Sequence, residues 1–154
     1  MSGASILTRE GMRARIESYY ADCNRGDAAR IARHFTVDAI HYFPESDRYG
    51  AFRSALGIGQ AWAETVKHTG ARWTVDRFIG DPEQAEAVVE WTQFRPKQGK
   101  RLRGDEWYRF EPRTGLISEV RAYFAATEHP GKKVHELGEF DYAGRGYAVK
   151  PPAD

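Results

Sequence analysis

Apolar positions along this chain recur with two different periods, first helical and then alternating. Between Thr8 and Cys23, the residues Met12, Ile16, Tyr19, Tyr20 and Cys23 fall at helical spacing, with Arg13, Arg15, Glu17 and Asp22 on the other face. That stripe predicts an amphipathic first helix. Asn24-Arg25-Gly26-Asp27 follows, a glycine stop with an aspartate placed to cap the next element, and predicts a second short helix from about Ala28 to Phe35. Asp38 to Pro44 is rich in β-formers and closed by proline, so it reads as a short strand, followed by a polar, turn-prone segment from Glu45 to Gly50. Helical spacing returns from Phe52 to His68 through Leu56, Ile58, Trp62, Thr65 and Val66, with Gly57 and Gly59 weakening the first half, so the firm part of this helix is expected from Gly59.

The period then shortens. Arg72 to Ile79, Ala85 to Arg95, Arg101 to Glu111 and Leu116 to Ala125 each read as strands, separated by Gly80-Asp81-Pro82, Pro96-Lys97-Gln98-Gly99 and Pro112-Arg113-Thr114-Gly115, which are hairpin connections. Helices first and an antiparallel meander second make an α+β arrangement. Beyond Thr127 the pattern breaks up, yet Val134, Leu137, Phe140, Tyr142 and Tyr147 remain. Residues 127–154 are therefore expected to form an irregular C-terminal extension packed on the 1–126 domain or on a partner subunit.

Composition narrows the classes. The 154 residues suit one domain with a single core. With 23 Lys+Arg against 22 Asp+Glu, a formal charge of +1 argues against a general electrostatic grip on nucleic acid or anionic membrane. The basic segments Arg72 to Arg77 and Arg95 to Arg103 carry interleaved aromatics but have balancing acids nearby, and read as solvated sheet faces. Cys23 is the lone cysteine, no apolar run reaches membrane-spanning length, and the first residues hold no apolar signal core, so a reducing cytoplasm is the expected location. Four Trp, eight Tyr and eight Phe suit either a dense core or a pocket for an apolar ligand.

Motifs for nucleotide, zinc-protease and nucleophile-elbow chemistry are absent. The histidines, at 34, 41, 68, 129 and 135, are scattered and offer no ligand pair on one element. No metal and no cofactor are expected.

Two stretches carry a resemblance. Tyr19-Tyr-Ala-Asp-Cys-Asn-Arg-Gly-Asp27, then His34-Phe-Thr-Val-Asp-Ala39 and a strand ending at Pro44, form the first; Arg103-Gly-Asp-Glu-Trp-Tyr-Arg-Phe110 with Thr114-Gly-Leu-Ile-Ser-Glu-Val-Arg-Ala-Tyr-Phe124 forms the second. Over residues 10–125 this resembles the nuclear transport factor 2-like superfamily, which includes ketosteroid isomerase and SnoaL-like polyketide cyclases. The resemblance implies a cone-shaped α+β barrel with N-terminal helices packed on a strongly curved, mostly antiparallel sheet. It also implies a homodimer formed through the open sheet face, with Trp73 and Trp107 on that face. By the same resemblance the oxyanion-binding tyrosine of ketosteroid isomerase falls on Tyr19 and its second donor on Glu106, while its base falls on Phe43, so steroid isomerisation does not transfer. Against limonene epoxide hydrolase, Trp91, Gln93 and Ala122 stand where its charged triad would be, which excludes that reaction. Scytalone dehydratase-like chemistry asks only for a histidine and phenols around a water, and survives.

Strand alternation within that frame turns His41, Phe43, Glu106, Tyr108, Trp91, Gln93 and Phe124 inward. His41, Glu106 and Tyr19 are the candidate catalytic groups: a histidine titrating near neutrality to shuttle protons, a carboxyl raised by desolvation, and a phenol stabilising oxyanion charge. Phe43, Trp62, Trp91, Gln93, Tyr108 and Phe124 are the candidate substrate-binding wall. Each also has a structural reading: Tyr19 as a core tyrosine, Glu106 paired with Arg103, Arg95 or Arg121, Gln93 serving the backbone. The expected function is cofactor-independent acid-base catalysis by a lyase or dehydratase, isomerase, cyclase or hydrolase, on an apolar small molecule bearing carbonyl or hydroxyl groups. The alternative is a non-catalytic binding or assembly module of the same fold.

Overall fold

A computed structural model describes residues 6–44, 50–127 and 129–153. The first helix, α1, runs Arg9–Arg25, with the Thr8 side chain accepting from the Gly11 amide and Gly26 closing it in the left-handed conformation (φ 67°). Asp27 caps α2, Ala28–Ala32. This helix stops short of the expected Phe35 because Phe35 already opens β1, Phe35–Tyr42, which starts three residues before the expected Asp38. Phe52–Arg53 is a two-residue strand, β2, rather than helix. The third helix, α3, spans Ala55–Thr69 from a Ser54 cap, so its first turn is intact where glycine weakening was expected. Gly59 has a packing reason instead: a Cβ there would sit 2.3 Å from the Ala28 carbonyl oxygen, so only glycine lets α3 lie this close to α2. Of the expected turn at Glu45 to Gly50, residues 45–49 lie outside the described residues.

The meander follows as β3 (Arg72–Asp81), β4 (Glu86–Arg95), β5 (Lys100–Phe110) and β6 (Ile117–Phe124), with a 3-10 turn at Pro96–Gln98. β3 continues through Gly80 and Asp81, which had been assigned to the connection. The last strand, β7, is Val134–His135. The sheet order is β2-β1-β6-β5-β4-β3, antiparallel except that β1 runs parallel to β6, and β7 adds parallel to the start of β5. β2 and β3 are the two ends of that order, so the curved sheet stays open and does not close into a barrel. Register shifts at Asp76 in β3 and at Ser118 in β6, opposite Arg109 and Phe110 of β5, mark bulges, which bend strands.

The helices fill the concave side. Met12, Ile16, Tyr19 and Tyr20 of α1, Ile31 of α2, and Ile58 and Trp62 of α3 meet Ala39, Val89, Trp91, Tyr108, Phe110, Ile117 and Val120 of the sheet in one buried cluster. The chain after β6 crosses to the convex side of β3, β4 and β5. There Tyr142 covers the Arg103 guanidinium, 4.0 Å from ring centroid to Cζ, and Ala148 accepts from Arg103 Nη1 at 2.7 Å. No described helix is long and apolar enough to cross a membrane.

Candidate functional site

Alternation on β1 and β5 places His41 and Glu106 on the concave face, in the row where the helices press closest. His41 is fully buried and Glu106 is 6% exposed. Register brings them together: His41 is opposite Val120 of β6, and Val120 is opposite Tyr108 of β5. His41 Nε2 lies 3.6 Å from Glu106 Oε1, near but outside hydrogen-bonding distance. The imidazole stacks on Phe43, 4.2 Å between centroids, with Trp62 edge-on at 5.4 Å.

Glu106 is held by phenols. Its Oε2 accepts from the Tyr20 hydroxyl at 2.9 Å and from the Tyr108 hydroxyl in a short bond. Burial dominates its ionisation and pushes the carboxyl up to about 7, against the two phenol bonds, which favour the anion. Tyr20 and Tyr108 are raised well above the ordinary tyrosine value by burial first and then by the neighbouring carboxylate, so both remain donors. Neither ring nitrogen of His41 has a well-formed hydrogen bond, and burial takes the imidazole down to about 3, the Tyr42 backbone opposing in part. The expected near-neutral titration of His41 is thereby corrected: with no anion bonded to its ring, desolvation wins and the imidazole is neutral.

The expected oxyanion tyrosine is corrected too. Tyr19 accepts from Trp62 Nε1 at 2.8 Å, and it is Tyr20 that reaches Glu106. The helix rotation that decides between them is set by Asn24, whose side chain bonds both the amide and the carbonyl of Trp73 on β3, at 2.7 and 2.9 Å. A Tyr-Tyr pair was the only signal in the sequence, and it does not say which ring faces the sheet. Trp73 itself is buried in the core, 5.3 Å from Trp62, and not on the convex face.

Tyr19, Tyr20, Cys23, Trp62, Trp73 and Glu106 enclose a small cavity; about 10 Å³ of it is open to the centre of a water molecule, which is the room one water needs. Cys23 and Trp73 were not among the expected site residues. Of the expected wall, Trp62 lines this cavity, Phe43 covers His41, and Tyr108 serves Glu106. Trp91 and Phe124 meet each other edge-on at 5.4 Å further along the strands, away from this small cavity, and with Phe124 39% exposed they line a second, larger one. Gln93 Oε1 accepts from Arg95 Nε at 2.8 Å, away from Glu106. Arg103 pairs with Glu136 and Arg121 with Glu119, so neither neutralises Glu106. Among the described residues, no three His, Cys, Asp or Glu side chains are grouped to hold a metal ion.

The SnoaL-like domain family profile matches residues 16–129. The chain is similar to a protein of unknown function with a cystatin-like fold from Methylobium petroleophilum, 44% identical over 96% of this chain and 97% of that one, with a TM-score of 0.76. Two more distant structures share the fold. One, a candidate ketosteroid isomerase from Kribbella flavida, is 18% identical over 80% of this chain and 84% of its own (TM-score 0.64). The other, SalBIII, an epoxide hydrolase/cyclase-like enzyme of pyran ring formation in the polyether salinomycin, is 14% identical over 75% and 91% (TM-score 0.61). No curated protein matches the chain.

Proposed function

The chain belongs to the SnoaL-like domain family, and we propose that it is a cofactor-independent acid-base enzyme acting on an apolar small molecule with carbonyl or hydroxyl groups, bound on the concave side of the sheet. The observation that carries this reading is a buried carboxyl poised near neutrality beside a buried, unpartnered imidazole. Strongly desolvated titratable groups of this kind cluster at functional sites.

The roles follow from the geometry. Tyr20 and Tyr108 occupy Oε2, which leaves Oε1 to present or take the proton. When protonated, Glu106 donates from Oε1 to a substrate carbonyl or to a departing hydroxyl, and the two phenols stabilise the carboxylate left behind. Neutral His41 holds one proton and one lone pair, so it accepts a proton released by the substrate at one nitrogen and returns one from the other. An isomerisation moves one proton with no net change; a dehydration loses the hydroxyl as water. Both forms of Glu106 are populated near pH 7, where a general acid-base group is most effective. Tyr19 acts on Trp62, making it a positioning residue.

The tightness of the interior favours the second reading, a non-catalytic binding or assembly module, because a space for about one water admits no apolar substrate without movement of Trp62 and the rings around it. Isotope exchange separates the two. Wild-type protein incubated in D2O with cyclic enones and β-hydroxy ketones is expected to speed deuterium incorporation or water loss over buffer, with an apparent pKa near 7. Glu106→Gln and His41→Ala should each lose about 100-fold, within the range for a positioned acid or base. No acceleration across the panel, or an unchanged rate in Glu106→Gln, overturns the enzyme.

A further inference from the structure

A larger cavity, sharing no lining residue with the small one, opens where the sheet meets the C-terminal extension, with Trp91, Gly104 and Phe124 beside the convex-face residues of its wall. It measures about 230 Å³ and is bounded by β4, β5, the end of β6 and the C-terminal extension. We propose that this cavity is a second site, independent of the concave one, that binds a small organic ammonium ion between Glu90 and Asp105.

Glu90, Asp105 and Tyr123 form one cross-strand row, Glu90 opposite Asp105 and Asp105 opposite Tyr123. Directly opposed like charges destabilise a strand pair, and among the described residues neither carboxylate has a cation within salt-bridge distance. The nearby arginines are committed elsewhere. Arg103 is 4% exposed, with Nη1 bonded to Thr92 Oγ1 and the Ala148 carbonyl, each at 2.7 Å, and Nε 3.3 Å from Glu136. Arg77 stands opposite Glu90 in register, but its guanidinium lies over the Tyr147 ring at 4.5 Å and donates to the carbonyls of Asp76 and Arg145. Two carboxylates are thus held side by side at a cavity, with no cation between them among the described residues.

The walls add selectivity. Tyr123 stands beside Asp105 and is 54% exposed, so its ring is free to meet a cation, and Tyr142 and Tyr147 line the extension's side. Tyr147 donates its hydroxyl to Glu90, which fixes the orientation of that carboxylate. The extension is tied down by the Arg103 bond to Ala148 and by the Leu137 amide donating to the Tyr142 hydroxyl at 2.9 Å. A preformed aromatic slot beside a pair of carboxylate acceptors suits an ammonium group carrying a compact apolar body.

Benzylammonium chloride is the probe, titrated into the full chain by NMR with calorimetry. The expected result is saturable binding that perturbs Tyr123 and Tyr147, weakens at least about tenfold in Asp105→Asn and in Glu90→Gln, and persists in Glu106→Gln. Benzyl alcohol, the uncharged analogue, should bind at least about tenfold more weakly. The proposal is overturned by no saturable binding up to about 10 mM, by equal binding of benzyl alcohol, or by binding that both acidic-site variants retain. It is likewise overturned if Glu106→Gln abolishes binding, which would place the ligand on the concave side. Each variant is compared at matched native signal in the same spectra, so a folding defect is not scored as lost binding.

Discussion

Two residues of β5, three positions apart, bury opposite kinds of charge on opposite faces of one sheet. On the convex face Arg103 is enclosed by Thr92, Ala148, Glu136 and the Tyr142 ring, so the charge is balanced and its donors are matched. On the concave face three residues on, Glu106 receives two phenols and faces an imidazole neither of whose ring nitrogens is hydrogen-bonded. Both sites are as deeply buried as the core around them. The difference is that the first is complete and the second is not: a saturated buried charge holds an element in place, while an unsaturated one keeps a group ready for a proton or a ligand.

The largest expected effect breaks the complete side. Arg103→Met keeps much of the side-chain length but leaves Thr92 Oγ1 and the Ala148 carbonyl without their donor, and Glu136 with Arg101 alone. Removing one member of a buried charged network costs about 3 kcal/mol or more, and the loss should appear as a lower denaturation midpoint together with faster amide exchange in residues 134–149. If stability is unchanged, Arg103 is not the fastening of the extension.

Changing Glu106 should move stability the other way. The native carboxyl is pushed up to about 7, above its unfolded value of about 4.3, so the folded state binds this proton more tightly than the unfolded chain. Its stabilising contribution is complete below about pH 4 and is lost as pH rises through about 7. Glu106→Gln removes that titration. The stability difference in favour of Glu106→Gln should therefore grow by on the order of 3 kcal/mol between about pH 4 and about pH 8. His41, held down to about 3, gives the opposite slope: its contribution is present above about pH 6.5 and lost as pH falls towards 3. That slope is common to both proteins and cancels in the difference, so urea titrations across this range isolate the carboxyl. A flat difference curve would mean that Glu106 is an ordinary ionised carboxylate.

The asymmetry explains what could be read from the residues alone. Alternation on β1 and β5 put His41 and Glu106 inward and Trp107 outward, because a period of two is fixed locally by the backbone. The desolvated state of Glu106 followed from that placement. The helix was less legible: Tyr19 and Tyr20 are about 100° apart, and which of them meets Glu106 depends on Asn24 docking to Trp73, 49 positions along the chain. Strand ends shifted for the same kind of reason, since β1 begins at Phe35 only because Ile117 of β6 pairs with it. The convex face was legible least, because nothing in the spacing of Arg103, Thr92 and Tyr142 says that a returning extension will cover them.

The smallest effect tests whether the concave side is closed by one bond. Trp62 donates to the Tyr19 hydroxyl and packs edge-on against His41, Phe43 and Trp73. Trp62→Phe keeps an aromatic ring there but loses the N–H and part of the volume, leaving Tyr19 with a buried oxygen that can take a water. The expected cost is about 1 kcal/mol for the hydrogen bond. Tyr19→Phe should cost at least as much, since it strands the buried indole N–H in a space with fewer ways to satisfy it. The double variant separates the bond from the packing: if the two losses do not simply add, the shortfall is the coupling between the two groups. Should Trp62→Phe also raise the exchange rate on the ketone panel while Tyr19→Phe leaves the pH profile in place, ring movement at Trp62 controls entry and the proton chemistry stays with Glu106 and His41.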